Sequence, residues 1–85
     1  MPSYFQRFIE YFKTHYDEND KEIIMGELMF RELFFENVTT ERYHYSHVTK
    51  LMVHHGFLVM ISKARYIISL DKLRSFTGVN AREKD

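Results

Sequence analysis

The absence of cysteine from all 85 residues means that packed side chains alone must hold this chain together, because disulfides and thiolate zinc sites are excluded. A chain this short buries only roughly 60–65% of the surface its unfolded form exposes, which leaves little margin for a small core. Eight Phe, six Tyr and five Met supply the needed apolar mass, each buried aromatic removing about 150–250 Å² from water. One aromatic core and a single domain over residues 1–79 are expected, followed by a short polar tail at residues 80–85.

Apolar periodicity sets the order of elements. Ser3 followed by Gln6 fits a capping box, and Phe5, Phe8, Ile9, Phe12 and Tyr16 then recur on one helical stripe, predicting helix 1 over about residues 4–16. Asp17 to Asp20 reads as a polar turn. The stretch Glu22-Ile23-Ile24-Met25 that follows can be a short strand or the first turn of a longer helix. Gly26 decides for a strand and a restart, since mid-helix glycine costs about 1 kcal/mol relative to alanine. Helix 2 is expected over 27–36. Thr39 and Thr40 can cap helix 3, whose buried stripe is predicted as Tyr45, Val48, Leu51, Met52 and His55. Gly56 stops it. Two apolar runs, 57–61 and 66–70, then flank Ser62-Lys63-Ala64-Arg65 and predict a hairpin with a basic tip, before a last helical turn at 71–76. The fold class is α+β.

Formal net charge is zero, which argues against strong nonspecific nucleic-acid binding by the molecule as a whole. The distribution is uneven. Residues 17–38 hold seven acids against two bases, and residues 39–85 hold eight bases against four acids, so one face can attract DNA while another does not. No apolar run reaches the roughly 18 residues of a membrane span, and the first residues lack the layout of a signal peptide. A cytoplasmic protein with no membrane contact is expected.

The stretch Val48-Thr49-Lys50-Leu51-Met52-Val53-His54-His55-Gly56-Phe57-Leu58 is an apolar helical stripe, a glycine, a large apolar residue and a strand. With Tyr66-Ile67-Ile68-Ser69-Leu70 behind it, the chain resembles the winged helix-turn-helix superfamily over residues 4–76. That resemblance implies a third helix in the DNA major groove and a hairpin wing on flanking backbone. The wing here is short, and helix 3 is rich in His and Tyr where many DNA readers carry Arg and Lys.

On the face of helix 3 opposite its apolar stripe lie Arg42, Tyr43, Ser46, Lys50 and His54, flanked by His47. A guanidinium at Arg42 suits guanine O6 and N7, an ammonium at Lys50 suits phosphate, and the others can add hydrogen bonds. Lys63 and Arg65 at the hairpin tip suit phosphate too, although charges also protect sheet edges. Five histidines do not make a metal site, because His44, His47, His54 and His55 point in different directions and no three converge. No metal or other cofactor is expected. No glycine-rich phosphate loop or nucleophile motif is present, so no catalytic residue is assigned.

Two functions from different classes follow. The first is a sequence-specific double-stranded DNA-binding protein, most simply a transcription regulator. The second is a protein-binding module or inhibitor that docks through the acidic and apolar helix 2 region. Helices 1 and 2 carry more large apolar side chains than one stripe uses, so Tyr4, Tyr11, Phe30, Phe34 and Phe35 are expected at a homodimer or partner interface.

Overall fold

The computed structural model describes residues 3–76, so the expected tail at 80–85 lies outside the described residues. Its elements are α1 (Tyr4–His15), β1 (Glu22–Gly26), α2 (Glu27–Asn37), α3 (Arg42–His54), β2 (Leu58–Ser62), β3 (Arg65–Ser69) and α4 (Leu70–Ser75). The molecule is α+β, with four helices on a three-stranded antiparallel sheet among the described residues.

Each boundary has a local cause. At the start of α1 the Ser3 hydroxyl accepts from the Gln6 amide, and the Gln6 side chain accepts from the Ser3 amide, both at 3.1 Å. Gly26 closes β1 and serves directly as the N-cap of α2, which settles the expected strand and restart. The Thr39–Thr40 cap expected for α3 is not used. Glu41 is the N-cap instead, without a side-chain hydrogen bond, while Thr39 Oγ1 accepts from the Glu41 amide at 3.3 Å. At the other end of α3, Gly56 adopts φ +80°. The Gly56 amide donates to Val53 and the Phe57 amide to Met52, at 3.0 and 2.9 Å. These paired bonds satisfy the last carbonyls of the helix and need the left-handed conformation that glycine adopts freely.

In the sheet β3 is central and the order is β1-β3-β2. Ile68 faces Ile23 and Leu58, and Tyr66 faces Met25 and Met60. Tyr66, Ile68, Met25 and Leu58 are buried under the helices. There they meet Phe8 and Phe12 of α1, Phe30 and Phe34 of α2, and Val48 and Met52 of α3. The rings pack tightly: Phe8 lies 5.2 Å from both Phe30 and Phe34, and Phe30 lies 5.3 Å from Tyr66.

Two expectations about exposure are overturned. Phe30 and Phe34 are fully buried, so they cannot form a surface for a dimer or partner. One turn apart, they fill the space between α1, α3 and the sheet, and the surplus apolar surface of α2 falls on Leu28 and Met29. On α3 the buried residues are Val48, Thr49 and Met52, Tyr45 and Leu51 are half-buried, and His55 is exposed. The stripe turns toward Thr49 because its hydroxyl donates to the Tyr45 carbonyl at 2.7 Å, which removes the cost of burying it.

The connection from α1 to β1 is held from the far end of the chain. The Arg74 guanidinium in α4 donates to the carbonyls of Tyr16, Asp17, Glu18 and Asp20, at 3.3, 2.5, 3.0 and 2.6 Å. A planar fork can serve several acceptors at once, which a lysine ammonium does less well. Arg74→Ala is therefore expected to lower unfolding free energy by about 2 kcal/mol, and Arg74→Lys to recover less than half of it. Urea titration followed by circular dichroism checks this; a loss below the error of the fit removes Arg74 from the fold's support.

Candidate nucleic-acid interface

The outward face of α3 is fully solvent-exposed. Arg42, Tyr43, Ser46, His47, Lys50 and His54 are all exposed, within an arc of about 140° at 3.6 residues per turn. Tyr43 is the most open large hydrophobic residue among the described residues, at 79%. Lys63 and Arg65 are exposed at the hairpin between β2 and β3. Ion pairs among the described residues are Lys13–Glu10, Arg31–Glu27 and His44–Glu41. Arg42, Lys50, Lys63 and Arg65 therefore have no acidic partner among the described residues, and their charges face water.

The start of α3 works against its own helix. Its first turn has no acidic residue, and Arg42 stands at the positive end of the helix dipole, where a cation is disfavoured. With no side-chain cap at Glu41, this end offers free amide donors beside a guanidinium. A phosphate there would meet both, and also the exposed Glu41 carboxylate, which lies 3.0 Å from the His44 ring. Local choices that cost stability concentrate where a surface serves binding.

The hairpin tip is fixed relative to α3 by Glu27. The Glu27 amide donates to the Ala64 carbonyl at 2.9 Å. Its carboxylate accepts from the Tyr45 hydroxyl of α3 at 3.2 Å and pairs with Arg31 at 2.5 Å. One residue thus joins the tip, α2 and α3. Burial pushes the Tyr45 hydroxyl well above the ordinary phenol range, and nearby Tyr66 and Glu27 add to the shift, so it remains a donor. The tip itself is short, with Lys63 and Ala64 between the strands. Mirror-image two-residue turns need positive φ, and no described non-glycine residue has it. A bulge between Met60 and Ser62 absorbs the mismatch instead.

Two cationic side chains beyond those expected flank this face. Arg31, already paired with Glu27, lies with Phe35, Arg42 and Tyr45 around a cleft of about 310 Å³ between α2 and α3. Arg7 lines a groove of about 430 Å³ between α1 and α3, with Tyr4, His44 and His47. The Arg7 guanidinium sits 5.7 Å from the Tyr4 ring centroid. Neither residue is on α3, so the angular reading of one helix cannot find them.

The expected interface aromatics Tyr4, Tyr11 and Phe35 are half-buried against the core. Tyr4 packs on His44 with centroids 4.4 Å apart, Tyr11 stacks on His15 at 4.2 Å, and Phe35 meets Tyr45 at 5.5 Å. No group of three His, Asp or Glu that could hold a metal occurs among the described residues, and no described helix is long and apolar enough to cross a membrane. No family model, curated protein or solved structure matches the chain.

His55 bounds the C-terminal end of the face. Its ring packs against Phe5, Phe57 and Phe76, with centroids 5.4, 5.3 and 5.1 Å away. Desolvation there, helped by neighbouring His54, lowers its pKa below the ordinary 6.5. The unfolded chain then binds more protons just below that pH, so the stabilisation is complete above it and is lost as pH falls through the folded value. Thermal melts between about pH 7.5 and pH 5 should show a falling Tm that flattens in His55→Phe. An identical decline in the variant would assign the pH dependence to other groups.

Proposed function

We propose that the chain is a winged-helix module that binds double-stranded DNA, with α3 in the major groove and the β2–β3 hairpin tip on the phosphate backbone. The observation that carries this reading is the face of α3, where Arg42 and Lys50 are exposed without acidic partners beside an uncapped, cation-bearing helix start. The order of elements supports it. Helices α2 and α3 are joined by residues 38–41 alone, and α3 leads through Gly56 into the hairpin, the spacing of a helix-turn-helix followed by a wing.

Roles follow from side-chain chemistry. Arg42 suits guanine or a phosphate; Lys50 and Lys63 suit phosphates; Tyr43, Ser46, His47 and His54 supply hydrogen bonds along the groove; Arg65 extends the contact from the hairpin. A single module of this size offers an interface on the order of 600–1,000 Å², so useful affinity calls for two copies on paired half-sites. A transcription regulator acting in the cytoplasm is the simplest role, and no catalytic group or cofactor enters it.

A second reading, a module that binds another protein through α2, draws on Leu28 and Met29. These are 68% and 53% exposed, beside the exposed acids Glu32 and Glu36. The two readings separate on one titration. Binding to random duplex DNA should fall steeply with added salt, as released counterions require. Arg42→Ala should cost about 1–3 kcal/mol and relax base preference, whereas Lys50→Ala should weaken all duplexes alike and reduce the salt slope. Fluorescence anisotropy measures both. No binding at low salt, or unchanged affinity in both variants, overturns the DNA reading and leaves the α2 surface.

A further inference from the structure

The groove of about 430 Å³ between α1 and α3 combines an apolar wall with charge of one sign. Buried Phe5 and Val48 and half-buried Leu51 form its inner surface, while exposed Arg7 and His47 stand on the side open to water. No Asp or Glu lines it. One wall is braced from outside the groove: the Tyr4 ring packs on His44 with centroids 4.4 Å apart, and His44 Nε2 lies 3.0 Å from Glu41 Oε1. The Ser3 hydroxyl, also in the lining, is engaged in the α1 cap. Arg7 is not engaged in this way. Lys13 pairs with Glu10 and donates to the Phe76 carbonyl, Arg31 pairs with Glu27, and Arg74 holds backbone carbonyls. Arg7 has no acidic partner among the described residues. Its guanidinium lies 5.7 Å from the Tyr4 ring centroid, a contact that satisfies none of its N–H donors.

We propose that this groove binds a small monocarboxylate with an apolar body, its carboxylate on Arg7 and its body against Phe5, Val48 and Leu51. The volume lies within the range of about 300–1,000 Å³ usual for small-molecule sites, and an apolar lining with a few polar groups is their ordinary makeup. Charge selects the ligand class. A guanidinium fork matches the two oxygens of one carboxylate, and the lining holds a single guanidinium. A phosphate monoester brings about two charges and three acceptor oxygens, more than one fork serves, and an ammonium would meet Arg7 with like charge. A neutral apolar molecule would cover the same wall but leave the Arg7 donors unmet. His47 can donate a further hydrogen bond from α3. Arg7 also borders a second groove, with Glu10, Tyr11, Thr14, His15 and Asn37, but there the Glu10 carboxylate opposes an anion. The site stands independently of the DNA reading, since its anchor is on α1.

Titration of the whole chain with hexanoate, followed by nuclear magnetic resonance, tests it. Hexanoate at millimolar concentration should give saturable shifts at Tyr4, His44, His47 and Leu51. Hexanol, the same body without the charge, should bind about tenfold more weakly. Arg7→Gln changes an exposed position, so circular dichroism should stay unchanged while hexanoate affinity falls about tenfold, to that of the alcohol, and Arg7→Lys should recover part of the loss. If Arg7→Gln disturbs folding, the comparison of acid with alcohol on the unmodified protein decides. Equal binding of the two compounds, or unchanged hexanoate affinity in a folded Arg7→Gln, overturns the carboxylate anchor. Shifts confined to Tyr11, His15 and Asn37 would put the anion in the second groove and overturn the site, as would the absence of saturable shifts with hexanoate.

Discussion

The ring of Phe30 contacts Phe8 and Phe12 of α1, Tyr45 of α3 and Tyr66 of β3, with centroids 5.2, 6.1, 6.2 and 5.3 Å away. A single side chain thus joins the sheet to three helices. In a chain with no cysteine and a Cα radius of gyration of 12.2 Å, such shared contacts take the place of covalent staples. Aromatic rings suit the task, since each buries a large area and edge-to-face pairs add about 0.5–1.5 kcal/mol beyond it. The orientation of α3 depends on this ring through Tyr45, whose hydroxyl reaches Glu27 and so reaches the hairpin tip.

Local signals were legible in the sequence wherever a few neighbouring residues determine the outcome. Ser3 and Gln6 form the capping box, Gly26 breaks strand from helix, and Gly56 ends α3. The Phe5-Phe8-Ile9-Phe12 stripe is buried as spaced. Helix α2 was not legible in the same way. It is apolar nearly all round, so periodicity assigns no face, and tertiary contact chose Phe30 and Phe34 for the core over Leu28 and Met29. The exposure of strand β2 was not legible for a related reason, since an apolar run reads alike whether a helix covers it or water does. Arg74 is invisible to any local pattern because its carbonyl partners lie on the far side of the sequence.

For the candidate site, angular arithmetic on one helix was enough to place Arg42, Tyr43, Ser46, His47, Lys50 and His54 on the exposed face of α3. It could not supply what other elements bring. Arg31 and Arg7 enter from α2 and α1, and the position of the tip depends on the amide of Glu27. Val48 and Met52 of the expected α3 stripe are buried, but its edge turns toward Thr49, which satisfies its hydroxyl within its own helix, and away from His55.

The strand order also bears on how the chain is made. Among the described residues β1 forms its ladder only with β3, pairing Glu22 with Ser69 and Gly26 with Arg65, and β3 is the last of the described strands to be synthesised. Until then Ile23, Ile24 and Met25 have no strand to join, and the carbonyls that Arg74 gathers are open to water. Loop closure over so long a stretch is entropically costly and slows collapse. β1 therefore stays an unpaired apolar segment until the residues of β3 are available, a condition that exposes a chain to chaperones, proteases and other copies of itself.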